Sequence, residues 1–423
     1  MQATDRETTT MGDLAGQAVR DVAQEPMSAA RWSARLAQRT RSQPNAIGGI
    51  LALVNAQGMI NFSGGFPEPS LFPTEALGDI ATRLLAEDAA VALQYAPSEG
   101  IESTRHVIAD RLLETDGHRP ADDELMITSG GIDGVTLLAK SMLDPGDVVV
   151  VEEPSYLGAV AGFAAYDARL RGVPMDEHGL DVDAFAALLA SSATPPKLLY
   201  TIPDFQNPSG RSMSIDRRLA LVALCRRYGV LIVEDVAYSQ LAFDPQPLPT
   251  LWSLAPDVVV QLGTFSKIFF PGVRLGWAAG PAPIIAQLAL AKQNSDQCAG
   301  ALGQRMLEEF LRTRVLDTHL PKARALYRSR GARMATALAT HMAGLATWTV
   351  PRGGFFSWVR VPGVDTTALA DVARAASVAF VPGAGFFSEH PDSEHLRLSY
   401  SRVTEPDIDE GIARLATAVR AAL

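Results

Sequence analysis

Lys267 closes the tetrapeptide Thr264-Phe265-Ser266-Lys267, directly after the apolar run Val258 to Leu262 and seven residues before Arg274. The chain has five lysines, Lys140, Lys197, Lys267, Lys292 and Lys322, and only Lys267 follows a buried-strand pattern and lies between hydroxyls and an arginine. An amine held at a strand end in a desolvated, cationic site loses its proton readily and becomes a nucleophile toward a carbonyl. Thr264, Ser266 and Arg274 could hold a phosphate beside it, the arginine through two parallel hydrogen bonds. Taken alone, the same residues also describe a surface turn with a lysine whose stem lies along the protein.

Four more segments place chemistry after short apolar runs. Val230 to Val233 leads into Glu234-Asp235-Val236-Ala237-Tyr238. An acid there points into the crevice where open α/β sheets bind ligands, so Asp235 could pair with a protonated ring nitrogen and Tyr238 could reach a phenolic oxygen; capping a helix is the competing role. Leu198 to Ile202 precedes Asp204-Phe205-Gln206-Asn207-Pro208-Ser209-Gly210, in which Pro208 keeps Asn207 extended and Ser-Gly turns the chain, presenting a carboxamide at the sheet edge. In Thr128-Ser129-Gly130-Gly131-Ile132-Asp133-Gly134, between a strand and a helix, the backbone amides of Gly130, Gly131 and Ile132 can approach an anion at the helix's positive end, although such a turn also serves packing. Tyr156, in Glu152-Glu153-Pro154-Ser155-Tyr156 after Val148 to Val151, could lie flat over a planar ring or simply join the core.

These segments need a sheet to bring them together. From about residue 120 short runs rich in branched residues alternate with helical stretches such as Ile132 to Leu143, the pattern of strands covered on both faces, which makes the architecture α/β. Beyond about residue 300 the alternation stops. Helices around Arg305 to Arg314 and Leu320 to Ala339, strands Ala346 to Val350 and Phe355 to Val359, a helix Thr366 to Ala376, a strand near Arg397 to Tyr400 and a closing helix from Glu405 read as a smaller α+β domain. The division expected is a flexible tail or arm over 1–43, the first part of the small domain with a substrate loop over 44–85, a large ligand-binding domain over 86–305 and the rest of the small domain over 306–423.

Composition narrows the partners. A formal charge of −10 argues against nucleic acid and anionic membranes, so any phosphate must be gripped locally. Cys225 and Cys298, both in stretches that read as helix, suggest neither a disulfide framework nor a metal site. The first ten residues lack a secretory pattern and no apolar run approaches a membrane span, which points to the cytoplasm.

Taken together, the five motifs resemble the fold-type I, class I/II aminotransferases, in particular the branch of aromatic and 2-aminoadipate aminotransferases and the enzyme-like halves of MocR-type regulators. The likeness runs from about Asn61 to Ser401. It implies a mainly parallel seven-stranded sheet flanked by helices, with pyridoxal 5′-phosphate as cofactor and Lys267 as the lysine that condenses with it. Gly65, in the segment NFSGGFPEPSLFP, is implied to approach the substrate carboxylate, and Arg397, in His395-Leu396-Arg397-Leu398-Ser399-Tyr400, to clamp it. Tyr95, in Gln94-Tyr95-Ala96-Pro97-Ser98-Glu99-Gly100, is similar to a tyrosine that reaches the phosphate in a neighbouring subunit, which implies a homodimer.

The implied reaction moves an amino group between an amino acid and a 2-oxo acid in ping-pong order, Lys267 carrying the proton at Cα and Asp235 keeping the ring an electron sink. Elimination, oxidation or decarboxylation on the same scaffold is the nearest alternative. A non-catalytic, effector-sensing homologue is another, disfavoured by the acidic charge and by a segment before residue 45 too short for a DNA-binding module. The chain departs from the family twice: Gly130-Gly131-Ile132 replaces the common Gly-Ser-Gln, and Asn45-Ala46-Ile47-Gly48 replaces an arginine-bearing segment of the 2-aminoadipate branch. Neutral or aromatic substrates are therefore expected over acidic ones.

Overall fold

The computed structural model describes residues 28–41, 48, 58–244 and 248–423. Residues 1–43 form a unit of their own, whose described part is a helix Ala29–Arg35, capped by the Ser28 hydroxyl, and a short turn of helix Gln38–Arg41. The expected tail and the Asn45-Ala46-Ile47-Gly48 comparison lie largely outside the described residues.

Among the described residues the strands are β1 (Ile60–Asn61), β2 (Leu125–Thr128), β3 (Val148–Glu153), β4 (Arg169–Asp176), β5 (Gly179–Leu180), β6 (Leu198–Thr201) and β7 (Leu231–Asp235). They continue as β8 (Val259–Thr264), β9 (Gly276–Ala279), β10 (Thr347–Trp348), β11 (Phe356–Arg360), β12 (Val378–Ala379), β13 (Val381–Pro382) and β14 (His395–Ser399). The large sheet has the order β2-β9-β8-β7-β6-β3-β4-β5. From β8 to β4 neighbours run parallel, β9 lies antiparallel between β8 and β2, and the two-residue β5 folds back on β4, adding an eighth strand to the seven implied.

The apolar runs form strands because both their faces are covered: β2 and β6 are buried throughout, and helices such as Gly131–Met142, Ile215–Tyr228 and Ala282–Gln293 pack against the sheet. Two strands carry a weaker signal. β4, at the edge, alternates Arg169 and Arg171 with half-buried residues and contains Pro174. β9 is Gly276-Trp277-Ala278-Ala279, poor in branched residues; it packs by fitting Trp277 over Gly263, where a Cβ would stand 2.0 Å from the indole. Strands β3, β7 and β8 extend past their apolar runs to Glu153, Asp235 and Thr264, since ladder bonding tolerates polar side chains at the carboxyl end.

That end is where the connections diverge. The chain leaves β3 toward β4 on one side and β6 toward β7 on the other, which opens a crevice at the topological switch point. All five motifs follow the carboxyl ends of strands that run in one direction: β2, β3, β6, β7 and β8.

A second, antiparallel sheet β10-β11-β14-β13 carries Arg397 in its interior, opposite Trp358 of β11 and Val381 of β13. Strand β1 pairs with β12. The helix expected from Leu320 begins at Val315 and includes Pro321, because burying Leu316, His319 and Leu320 outweighs the missing backbone donor. Cys298, expected in a helix, lies between the helices Ala282–Gln293 and Ala301–Arg312. No helix among the described residues is long and apolar enough to cross a membrane.

Arg218, fully buried on the helix Ile215–Tyr228, fastens the segment after β6. It donates to Met213 O at 3.1 Å, Pro249 O at 3.0 Å, Pro203 O at 3.2 Å and Asp204 Oδ1 at 2.5 Å. Arg218→Met strands Asp204 and three carbonyls, so urea unfolding should show a loss of roughly 3–5 kcal/mol. A loss below about 1 kcal/mol would mean that the segment holds itself.

Candidate active site

At the switch point a cavity of about 270 Å³ is lined by Gly65, Gly131, Ile132, Tyr156, Asn207, Asp235, Tyr238, Thr264, Ser266, Lys267, Arg274 and Arg397, residues from distant parts of the sequence. Lys267, half-buried, stands on the 3-10 turn Phe265–Lys267, which begins at Thr264, whose hydroxyl accepts from Ser266 N. Its Nζ donates to Gly65 O at 2.8 Å and lies 5.9 Å from the Tyr238 ring centre and 5.8 Å from that of Phe355. Burial, then the positive charge of Arg397, brings its pKa down to about 8, with Arg274 adding to the shift and Asp235 opposing it. A neutral amine is thus accessible near neutrality.

Asp235 ends β7, buried. Tyr200 Oη donates to its Oδ2 at 2.7 Å and Ala237 N to its Oδ1 at 3.1 Å. Burial holds its pKa above the usual carboxylate range, while these donors and Lys267 pull it back. Such an acid is stabilised by a cation brought to it.

The opposite end of the cavity is built for an anion. Thr264 Oγ1 donates to Ser266 Oγ at 3.0 Å, and Arg274 Nη1 donates to the same oxygen at 3.4 Å. Arg274 sits in the left-handed region at φ 53, a bend that lets Nη2 reach Ser129 O at 3.3 Å. Gly130 lies directly behind the guanidinium, where a Cβ would be 2.6 Å from Nη2. Gly131 and Ile132 open the helix Gly131–Met142, whose first N–H groups have no intrahelical partner.

Arg397 reaches the cavity from β14. Nη1 donates to Asn207 Oδ1 at 2.8 Å and Nη2 to Ser63 O at 2.6 Å, and the guanidinium lies 4.4 Å from the Phe356 ring centre. Burial brings its pKa down to about 10, while Nε is buried with no protein partner, leaving donor capacity for a carboxylate. Gly65 cannot carry a side chain, since a Cβ would meet Phe356 at 2.5 Å. Tyr95 is not brought to this cavity and is 80% exposed.

Several contributors escaped the sequence reading: Tyr200, Ser63, Phe356, and Glu152, which accepts from Thr201, Ile202 N and Gln206. Tyr200 alone left a trace, because a tyrosine inside an apolar strand needs a partner for its hydroxyl.

An amine, a buried acid, an arginine-bearing turn and a second guanidinium thus share one cavity at the strand ends of an α/β sheet, the equipment of an enzyme that works on carbonyl compounds. The aminotransferase class I and II family matches residues 59–415, and the chain belongs to it. It is a pyridoxal-phosphate-dependent transaminase that moves an amino group between an amino acid and a 2-oxo acid. It is 36% identical over 376 residues to the aromatic-amino-acid aminotransferase 1 of Thermococcus litoralis, covering 88% of this chain and 90% of the relative. It is also 36% identical over 388 residues to the 2-aminoadipate transaminase of Thermus thermophilus, covering 90% and 96%. A crystal structure of Pyrococcus horikoshii kynurenine aminotransferase superposes with a TM-score of 0.89 at 34% identity, covering 92% of this chain and 98% of that one.

The lowered pKa of Lys267 has a thermodynamic signature in the cofactor-free protein. Below about pH 8 the folded state bears the full cost of the buried charge; between about 8 and the ordinary 10.5 the unfolded chain holds more protons, so stability rises with pH. Lys267→Met should therefore be more stable than wild type at neutral pH, by a margin that narrows as pH rises through this window. Urea unfolding across it is the measurement, and a constant margin would contradict the burial of the charge.

Proposed function

We propose that Lys267 is the catalytic residue, and that Gly130, Gly131, Ile132, Tyr156, Asn207, Asp235, Tyr238, Thr264, Ser266 and Arg274 hold the cofactor. The observation that carries this reading is the shared cavity lined by the Lys267 amine, the Asp235 carboxylate and the Arg274 anion site, in which both charges act on the amine. The donor set fits pyridoxal 5′-phosphate: hydroxyls, guanidinium and helix end for a phosphate, a buried carboxylate for a pyridinium, and an amine for the aldehyde. When bound, that group supplies a cationic ring that stabilises negative charge at the substrate's Cα.

The chain's own residues do the rest. Arg397 pairs with the substrate α-carboxylate, and Gly65 leaves room for it. Asn207, tied to Arg397 at 2.8 Å, couples the clamp to the strand end that also faces the ring. Lys267 would act as the general base toward the Cα proton and as the acid that delivers it to the aldehyde-derived carbon of the cofactor, on the other side of the shared nitrogen, a role suited to a pKa of about 8. The two substrates use the cavity in turn, in ping-pong order.

Phe66, Ile132, Leu157 and Phe356 give the lining an apolar character, while Arg397 and Arg274 are committed to carboxylate and phosphate; this supports neutral or aromatic side chains over acidic ones. The relatives' names divide, one of two equally similar enzymes being named for aromatic amino acids and the other for the acidic 2-aminoadipate, so the reading rests on the lining. Exposed Tyr95 suits a homodimer in which it reaches the partner's phosphate, and two free cysteines suit the cytoplasm.

The test is spectroscopic and chemical. Wild-type protein given cofactor should show a visible absorbance that Lys267→Ala lacks, and with an amino donor alone it should accumulate pyridoxamine phosphate stoichiometrically. Return to the starting spectrum without net amine transfer would favour elimination or decarboxylation. Arg397→Lys loses the planar fork and should raise KM for the amino donor about tenfold or more while the protein keeps its cofactor.

A further inference from the structure

Lys292 is fully buried on the helix Ala282–Gln293, outside the cavity lining, and has no part in the reaction described above. Its Nζ donates to Asp296 Oδ2 at 2.7 Å and Oδ1 at 2.8 Å, to Asp133 Oδ2 at 2.9 Å and to Ser129 Oγ at 2.9 Å. Three acceptor groups meet the three protons of an ammonium.

The cluster is joined to the anion site through Ser129. Its N–H donates to Asp133 Oδ2 at 2.8 Å, its hydroxyl donates to Asp296 Oδ2 at 2.5 Å, and its carbonyl accepts from Arg274 at 3.3 Å. Asp133 lies in the first turn of Gly131–Met142, where a carboxylate is drawn to the same positive helix end that would attract a phosphate. Two carboxylates therefore stand beside a site for a dianion, in a chain of net charge −10. Lys292 is fully buried and Asp133 largely so, whereas Asp296 is partly in water, so the charge of Asp133 is the less screened of the two.

We propose that Lys292 is a positioning residue for the cofactor phosphate: it offsets the charge of Asp133 and Asp296 and, through Ser129, holds the turn on which Arg274 rests. This rests on the assignment of the phosphate to the Gly130–Ile132 turn. Lys292 touches no reacting atom, so its effect belongs to cofactor retention rather than to the proton transfer.

The experiment measures the dissociation constant of pyridoxal phosphate by absorbance titration, and inhibition of cofactor uptake by inorganic phosphate, on the full chain. Lys292→Met should weaken both by about tenfold or more. Adding Asp133→Asn and Asp296→Asn to Lys292→Met should return both to within about threefold of wild type, because removing the carboxylates removes the need for the cation. A merely structural lysine predicts the reverse: the triple variant would bind as weakly as the single one or more weakly, which would overturn the proposal. Should Lys292→Met fail to fold, Asp133→Asn/Asp296→Asn with the lysine retained decides the matter; binding at least as tight as wild type supports the charge argument and weaker binding overturns it. Wild type that takes up neither cofactor nor phosphate would instead sink the assignment of the turn, whereas Lys292→Met indistinguishable from wild type would sink only this inference.

Discussion

Three cations line one cavity in an acidic protein, and this crowding is the constraint around which the molecule is arranged. Lys267, Arg274 and Arg397 all line it, with Asp235 the acid among them. Burial weakens the proton affinity of both Lys267 and Arg397, and for the lysine the positive charges of Arg397 and Arg274 add to it. Backbone carbonyl oxygens accept from each of them: Gly65 from Lys267, Ser63 from Arg397, and Ser129 and Pro271 from Arg274. The loop bearing Ser63 and Gly65 cannot move without stranding the charges of Arg397 and Lys267. The cavity is thus short of negative charge, and anions brought to it would meet donors that the protein leaves unsatisfied.

The buried acids around the cavity follow from strand geometry. Successive residues of a strand point to opposite faces, so Glu234 and Asp235 part company at the end of β7. Asp235 faces the cavity. Glu234 turns away and accepts from the backbone N–H groups of Leu251 and Trp252 at 2.6 and 3.0 Å, and burial lifts its pKa to about 7. Glu152 and Glu153 divide the same way on β3. Glu152 is buried against Thr201 and Gln206, with a pKa also pushed up to about 7, whereas Glu153 accepts from the N–H groups of Ser388 and Glu389, both at 2.9 Å. In each pair one carboxylate serves the site or the strand beneath it and the other ties a distant loop to the sheet.

Much of this was legible beforehand, for a reason tied to parallel sheets. A strand covered on both faces must be a continuous apolar run, and the polar residues that follow it must fall at the crevice; Lys267, Asp235, Asn207, Tyr156 and the Gly130–Ile132 turn all obey that rule. β4 and β9 escaped because an edge strand alternates and a glycine-alanine strand lacks branched residues. Partnerships escaped more completely. Arg397 pairs with Asn207 across 190 positions and with Ser63 across 334, and Lys292 finds Asp133 across 159.

Residue type and the spacing of apolar runs, which act locally along the chain, were sufficient to determine the α/β class and to single out Lys267 and the neighbours that line one cavity with it. Which carbonyl holds the amine, which tyrosine supports Asp235 and which lysine lies beneath the anion turn were decided only by tertiary structure, because burial and charge pairing depend on distances in space that the order of residues does not encode.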